Sequence, residues 1–318
     1  MFELGGVVPP GRHATSKFKT KANLPAGNLV GSCNGLLCLS EMGCKRSFFL
    51  CNPMTGERMK SPVGAARKWG RKDGCLVDTV SGFGFSAETN RYMVILITKR
   101  VDFHPRRRVN SKAEIYFFGS DRWKSIGDVP FPAHRQFFAV SLNGGLHWIV
   151  DMDDFEDAGL IFAFDIEKER VRSIKPPRGF TMDTSEMSLG VLWDRLFICD
   201  SLTSYNLEIW VMRQYGVRAS WTKEIVIAKD SFPRALINCF VRPIMVSKEG
   251  EILLLGEHNG LVLYDPNTRC FKEVPICRVG SEFEAFCHVA RFDSLLDIMA
   301  PMTCPVNSTY ISCSNIIY

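Results

Sequence analysis

The sequence predicts an all-β fold, a single-domain β-propeller of five to six kelch-like blades. Three observations favour it: hairpin turns recur about every 50 residues, a second set of turns alternates with the first, and short apolar runs without helical periodicity fill the intervals. One small sheet cannot bury both of its faces alone. Repeats of this size therefore stack radially around an axis.

The stretch from Gly31 to Pro62 is the first repeat. Its inner turn is the Asn-Gly dipeptide at 34–35, a strong hairpin signal because both residue types tolerate positive φ. The run at 36–39 follows without a polar break, as in a strand covered on both faces. Asn52 then opens an outer turn in which its side chain can bond forward to the backbone, and Gly56 can adopt the left-handed conformation.

Both kinds of turn recur along the chain. The later inner turns are predicted at Thr89-Asn90, Asn143-Gly144, Asp194-Arg195 and Glu249-Gly250. The later outer turns are predicted around Gly119, Asp165, Gly216 and Asp265. A proline follows most outer turns ten or eleven positions after the turn opens, as at Pro62, Pro130, Pro176 and Pro275.

These turns delimit five units, at 26–62, 75–130, 135–178, 186–228 and 240–278. The segment 282–299 offers at least one more strand, which can pair with the N-terminal segment, close the ring and remove exposed sheet edges. Five and six blades both fit. We expect an irregular lead-in over 1–28, the propeller over 29–299 and a C-terminal tail over 300–318.

Composition narrows the range of partners and compartments. The net charge of +5 is mild and scattered, which gives no support for a nucleic-acid partner, and no apolar run reaches membrane-spanning length. The N-terminus does not read as a secretory signal. The 12 cysteines lie largely in apolar runs, as at Cys38, Cys51, Cys199 and Cys270, without CxxC spacing. We therefore expect reduced thiols and a location in the cytoplasm, the nucleus or both.

The sequence does not indicate catalysis, a metal or a cofactor. It lacks the GxSxG, GxGxxG, GxxxxGK and HExxH patterns, and its 6 histidines are dispersed. The acidic cluster at 151–157 lacks the glycine and glutamate that a calcium-binding EF-hand loop requires. We predict a protein that is not an enzyme. The alternatives are a propeller hydrolase or lyase, and a propeller that binds a small ligand in its channel.

Two long charged connections interrupt the repeat, at 99–112 and 151–158, and loops on a rigid scaffold often carry recognition. We predict partner contacts at His104, Arg106, Arg107, Arg108, Asp153, Asp154 and Glu156. The tryptophans are expected mostly to pack between blades.

Several of these stretches together resemble a known family. GSCNGLLCL (31–39), CNPMTGE (51–57), GFGFSAETNRYMVI (82–95) and the terminal SLLDI (294–298) are similar, in order, to signatures of the F-box-associated domain of plant F-box proteins. The resemblance covers about 29–299. It implies a kelch-like propeller that recruits a protein substrate, of unindicated identity, to an SCF-type cullin–RING ubiquitin ligase.

In that family, a helical F-box normally precedes the propeller and binds a Skp-family adaptor. Residues 1–30 do not show the leucine- and proline-rich helical pattern of an F-box. We therefore expect the adaptor as a partner only if an F-box lies upstream. A truncated gene model, an alternative product and a stand-alone binding domain all fit this expectation.

Overall fold

The computed structural model describes residues 4–6, 27–64, 75–102, 108–131, 139–150, 161–180, 187–201, 205–237, 239–256, 260–274, 285–299 and 314–317. These residues form strands almost throughout, with one five-residue α-helix, α1 (Leu295–Met299), and a few short 3-10 turns. None of the helices found among them is long and apolar enough to cross a membrane. The all-β prediction is confirmed.

Strand β1 (Leu4–Gly6) belongs to the last sheet of the chain, and five four-stranded antiparallel blades follow it. Blade 1 contains β2 (Gly27–Cys33), β3 (Leu36–Glu41), β4 (Cys44–Cys51) and β5 (Arg58–Lys60). Blade 2 contains β6 (Cys75–Ser86), β7 (Arg91–Asp102), β8 (Arg108–Phe117) and β9 (Lys124–Asp128). Blade 3 contains β10 (Val140–Leu142), β11 (Gly145–Ile149), β12 (Ile161–Asp165) and β13 (Arg170–Ile174).

The two remaining blades follow the same order. Blade 4 contains β14 (Met187–Leu192), β15 (Arg195–Asp200), β16 (Asn206–Met212) and β17 (Trp221–Ala228). Blade 5 contains β18 (Val241–Val246), β19 (Ile252–Gly256), β20 (Gly260–Asp265) and β21 (Cys270–Glu273). The predicted five units thus match the five blades to within a few residues at each end.

The ring is closed by a sixth, three-stranded sheet. It pairs β1 with β23 (Ser314–Ile317), and β23 with β22 (Phe286–Val289). The first strands of the five blades contact one another in order, and β22 contacts both β18 and β2. The structure therefore has five blades and a smaller closing sheet. Two of its strands, Leu4–Gly6 and Ser314–Ile317, lie within the stretches expected as lead-in and tail.

The direction of the strands gives the propeller two rims. In every blade, the turn between strands one and two and the turn between strands three and four lie on the same side, which we call the hairpin rim. The turn between strands two and three lies on the opposite side, together with the link to the next blade. We call that side the connection rim. A hydrogen bond between blades is consistent with this assignment of the rims. The Tyr92 hydroxyl donates to the carbonyl oxygen of Asn34 at 3.2 Å, which joins neighbouring blades next to their inner turns.

The inner turns use left-handed backbone as the sequence predicts. Asn34 and Asn143 have φ of 45° and 49°, and the glycine after each is also positive. In blade 4 the prediction was shifted by one residue. Leu192 pairs with Arg195, so the turn consists of Trp193 and Asp194, at φ of 50° and 56°. Positive φ at both central residues is the signature of a type I′ two-residue hairpin loop, in agreement with this register.

The outer turns also follow the prediction. The amide nitrogen of Met54 donates to Asn52 Oδ1 at 2.9 Å, and Gly56 takes φ of 80°. Asp265 acts in the same way in blade 5, accepting from the amide of Asn267 at 2.9 Å. These side chains replace backbone partners that a tight turn leaves unsatisfied.

The core lies between blades rather than within one of them. On β15, Leu196 and Ile198 pack in the cluster shared with blade 3, while Phe197 and Cys199 pack in the cluster shared with blade 5. Successive strand residues point to opposite faces of a sheet. Because both faces are covered, the strand reads as a continuous apolar run.

Tryptophans link neighbouring blades at the predicted prolines. Trp123 Nε1 donates to the carbonyl oxygen of Pro62 at 3.0 Å, and Trp148 Nε1 donates to that of Pro130 at 3.3 Å. Trp221 Nε1 donates to the carbonyl oxygen of Lys175, next to the third such proline, at 3.0 Å. The expectation that tryptophans pack between blades holds for these three.

The eight cysteines whose side chains the structure describes are free thiols. Cys38, Cys51 and Cys199 are buried as expected, and burial raises the pKa of the Cys51 and Cys199 thiols to about 12. Cys270 is exposed, which differs from the prediction. It begins the outermost strand of blade 5, where one face of the strand is not covered by a neighbour.

Candidate interaction surface

The predicted partner residues fall mostly outside the described part of the chain. That holds for His104, Arg106, Arg107, Asp153, Asp154 and Glu156. Arg108 begins β8, and its backbone pairs with Asp102. The interval 99–112 is therefore not one long loop, since residues 99–102 and 108–112 extend the hairpin ladder. Val101 and Ser111 are buried, so the alternation of buried and exposed side chains continues beyond the predicted ends of the two strands.

Both segments attach to the same rim. Residues 103–107 join β7 to β8, and residues 151–160 lie between β11 and β12. These are second-to-third connections of adjacent blades, so the strand ends that carry them meet the connection rim side by side. Every undescribed segment between residues 64 and 285 joins strand ends at that rim.

The hairpin rim is described throughout the five blades, and polar contacts join its turns. Between blades 2 and 3, the Ser86 hydroxyl donates to Glu167 Oε2 at 2.7 Å, and the Glu88 amide donates to Glu167 Oε1 at 3.2 Å. Lys124 forms an ion pair with Glu169 in the same outer turn. One outer turn of blade 3 thus holds both turns of blade 2 at this rim.

A buried histidine organises the contact between blades 3 and 4. His147 Nδ1 lies 2.9 Å from the carbonyl oxygen of Val140, and its Nε2 lies 2.6 Å from the Tyr215 hydroxyl. A carbonyl only accepts, so Nδ1 carries the proton and Nε2 accepts from the tyrosine. Arg172 Nη2 donates to the same hydroxyl at 2.7 Å, and its guanidinium lies 4.8 Å from the ring centroid.

This arrangement keeps the imidazole neutral. Burial lowers the pKa of His147 to about 4, and the nearby Arg172 charge acts in the same direction. Burial raises the pKa of Tyr215, with Arg172 opposing the rise. At neutral pH the tyrosine hydroxyl therefore remains a donor, and the imidazole remains its acceptor.

Replacing Tyr215 by phenylalanine is expected to lower the free energy of unfolding by roughly 1–3 kcal/mol, because the buried Nε2 of His147 loses its donor. Urea denaturation of the purified chain measures this change. The matched control is Tyr205→Phe, at a tyrosine that is 95% exposed. The control should change stability by less than about 0.5 kcal/mol. Equal effects of the two variants would contradict the role assigned to the network.

A clasp near the C-terminus fastens the closing sheet to blade 1. Asn52 Nδ2 donates to the carbonyl oxygen of Asp293 at 2.9 Å. The Glu57 carboxylate accepts from the amide of Leu295 at 2.6 Å and from the Ser294 hydroxyl at 3.0 Å. The backbone hydrogen bond from Leu295 is the main cause that lowers the pKa of Glu57. Leu295 and Ile298 then pack into the core between blades 1 and 2.

The clasp gives two of the sequence signatures a structural role. CNPMTGE at 51–57 contains the blade 1 donor, Asn52, and the blade 1 acceptor, Glu57. SLLDI at 294–298 contains Ser294 and Leu295, the two residues that donate to Glu57. These residues are scaffold, since they close the ring.

The inner strands are poor in titratable side chains. Among their described residues, β2, β10 and β14 carry none of Asp, Glu, Lys, Arg and His. Ser32 Oγ lies 2.8 Å from Nδ1 of His288 on β22, but Nε2 of this buried histidine has no hydrogen-bond partner in the described part of the chain. The described residues also contain no group of three or more side chains that could hold a metal ion.

A surface that the sequence reasoning missed lies at the hairpin rim of blade 4. Trp193 occupies an inner-turn position where blades 1 and 3 have asparagine, and its side chain is 41% exposed. Arg195 and Tyr215 belong to the same rim. A tryptophan at a repeat position that otherwise favours asparagine was the signal that could have identified this surface.

Comparison with known proteins agrees with the architecture. Residues 13–298 match the F-box associated beta propeller domain family. The chain is 28% identical over 324 residues to the F-box protein At3g07870 of Arabidopsis thaliana, which covers 90% of this chain and 76% of that protein. It is 25% identical over 240 residues to the F-box/kelch-repeat protein At3g23880 of the same plant, with 74% and 60% covered. The F-box protein CPR1 is 25% identical over 277 residues, with 81% and 65% covered.

Proposed function

The chain belongs to the family of F-box-associated β-propeller domains, and on that premise we propose that it recognises the protein substrate of an SCF-type ubiquitin ligase. The match across residues 13–298 is the observation that carries this proposal. The curated relatives are named F-box proteins, and the chain spans between 60% and 76% of the first two. Assembly with a Skp-family adaptor is part of the proposal for the full ligase and requires an F-box.

The role that we propose is binding rather than catalysis. The described inner strands bring few acids and bases together. Within the described part of the chain, Ser32 and His288 lack a third group that would orient the imidazole for nucleophilic chemistry. A hydrolase or lyase would need such a converging set. Recognition needs only a rigid ring with side chains and loops at its rims, which the clasp and the cross-blade contacts supply.

We also propose that the two charged connections contribute to substrate contact. The reasons are the charge of the two segments and the position of their flanking strand ends, which lie on adjacent blades at the connection rim. The residues concerned are His104, Arg106, Arg107, Arg108, Asp153, Asp154 and Glu156. Exchange of both segments for neutral Gly/Ser sequences of equal length should reduce substrate capture while leaving the ring folded. Unchanged capture of every substrate would remove these residues from the interface.

The ligase role is tested by restoring the adaptor module. A fusion that carries a plant F-box upstream of this chain should co-purify with the Skp-family adaptor and cullin. The 318-residue chain without the fused F-box should not co-purify with them. Proteins captured by the chain and identified by mass spectrometry should then be ubiquitinated by the reconstituted fusion complex. A fusion that assembles with the adaptor but modifies none of the captured proteins would refute the proposed function.

A further inference from the structure

Blade 4 and the edge of blade 3 bring exposed arginines, an exposed tryptophan and a half-buried tyrosine to the hairpin rim. We call this set the blade 4 patch, and it consists of Arg172, Trp193, Arg195, Arg213 and Tyr215. Trp, Tyr and Arg are the residue types that contribute most to binding energy at protein interfaces. The patch is fully within the described residues.

The patch spans both faces of blade 4 at the rim. Arg195 begins β15 and Arg213 follows β16, and the pairing of Phe197 with Val211 places these two arginines at facing strand ends, on the face that packs against blade 5. Trp193 lies in the turn that leads into β15. On the other side, Arg172 stacks on the Tyr215 ring, and Tyr215 follows Arg213 by two residues in the same outer turn.

Trp193 is placed there at a conformational cost. Its φ of 50° is close to the values of 45° at Asn34 and 49° at Asn143, but a bulky side chain rarely adopts this conformation. The cost is not recovered in the core, since Trp193 belongs to none of the buried clusters in the described chain. A strained and exposed aromatic residue at a position that suits asparagine indicates selection for something other than folding.

The charges of the patch favour an anionic partner. Arg213 already forms a two-pronged contact with Glu224, through Nε at 2.8 Å and Nη2 at 2.9 Å. Arg195 also lies close enough to Glu224 for its charge to help lower the pKa of that carboxyl group, and Asp194 adds one negative charge in the turn. Three guanidinium groups thus face two carboxylates, which leaves the patch with a net positive charge, and guanidinium groups bind carboxylates in a bidentate manner.

We propose that the blade 4 patch binds an acidic segment of a partner polypeptide, with carboxylates on Arg172 and Arg195 and an apolar side chain against Trp193. Charge complementarity selects the segment, and the aromatic contact supplies the buried area. The inference rests on the proposed function only in taking this segment to be part of the substrate.

Fluorescence anisotropy with a synthetic peptide tests the site directly. The probe is a fluorescein-labelled dodecapeptide of aspartate, glutamate and leucine, and its counterpart has asparagine and glutamine in place of the acids. The acidic peptide should bind the purified chain, and its affinity should decrease with added salt. The amide peptide should not bind. Trp193→Asn and Arg195→Gln should each weaken binding about tenfold.

The design separates recognition from folding. Asparagine suits the left-handed turn, so Trp193→Asn should keep the melting temperature of the parent or raise it. The matched controls are Tyr205→Ala and Arg234→Gln, exposed residues of the same types away from the hairpin rim, and both should bind the acidic peptide like the parent. Parent-like binding by Trp193→Asn, or equal loss in the controls, would overturn the proposal.

A second readout distinguishes this site from the proposed function. The acidic peptide should inhibit ubiquitination of captured proteins by the F-box fusion complex, and the amide peptide should not. Specific peptide binding without inhibition would overturn the assignment of the segment to the substrate. Failure of ubiquitination altogether, with peptide binding intact, would count against the ligase role rather than against the patch.

Discussion

Replacing Gly82 by alanine is expected to lower the free energy of unfolding by roughly 2–3 kcal/mol, because the added Cβ overfills a close contact between blades. That Cβ would lie 2.8 Å from the Cβ of Ala139, on the approach to blade 3, and 3.2 Å from Ile95 Cγ2. The Cβ of Ala139 is attached directly to the backbone and cannot rotate away. The two blades must separate locally, and the loss is measured by urea denaturation.

A second substitution at the same contact should suppress the effect of Gly82→Ala. Ala139→Gly removes the opposing methyl group, so the penalty of Gly82→Ala should fall in the double variant. The two substitutions should therefore be non-additive by about 1 kcal/mol or more in a double-mutant cycle. Additive losses would contradict the proposed contact, because a penalty caused by the methyl group of Ala139 must shrink when that group is removed. The unfolded chain cannot account for the loss, since Gly→Ala lowers its entropy and by itself favours folding.

The same contact explains the GFGF signature at 82–85. Gly82 and Gly84 face blade 3, where the added Cβ of Gly84 would lie 2.7 Å from Ile166 Cδ1. Phe83 faces the other way, into the core shared with blade 1. A period of two places small and large side chains on opposite faces of the strand, and each face meets a different blade.

Local rules therefore predicted the turns and the repeat. Asn34 and Asn52 act through their own backbone and immediate neighbours, so their roles could be inferred from residue type and spacing. The number of four-stranded blades follows from those turns. Apolar runs between turns predicted strands because both faces of each sheet are covered.

Long-range pairings were not available from the sequence. His147 and Tyr215 are 68 positions apart, and Ser32 and His288 are 256 apart, so no spacing rule connects them. The strand at Leu4–Gly6 depends on a partner at the other end of the chain. The blade 4 patch also assembles from two blades, and only the unusual turn residue at Trp193 signals it locally.

Acidification from pH 7.5 to 5 is expected to lower the free energy of unfolding by about 2 kcal/mol for each of His147 and His288. Burial is the main cause that lowers the pKa of both groups from 6.5 to about 4. Over this pH interval the two imidazoles bind protons in the unfolded chain but remain neutral in the folded chain. The contribution of the two neutral imidazoles to stability is thus fully present above about pH 7.5, and it decreases as pH falls through 6.5 toward 4.

Among the residues that the structure describes, other groups contribute little over this interval. Carboxyl groups whose pKa is lowered from 4.5, such as Glu57 and Glu224, affect stability mainly below pH 5. Glu114 acts in the opposite direction, since burial raises its pKa and its protonation favours the folded state. The two histidines should therefore dominate the slope between pH 7.5 and 5.

Urea denaturation at a series of pH values measures that slope, and substitution assigns it. His147→Gln and His288→Gln will each be less stable than the parent at neutral pH, because each breaks a buried hydrogen bond. Each should nevertheless lose about half of the pH dependence, and the double variant nearly all of it. A slope that persists unchanged in the double variant would mean that neither imidazole is held neutral. Because His288 joins the closing sheet to blade 1 and His147 joins blades 3 and 4, acid should weaken the ring at two separate blade contacts.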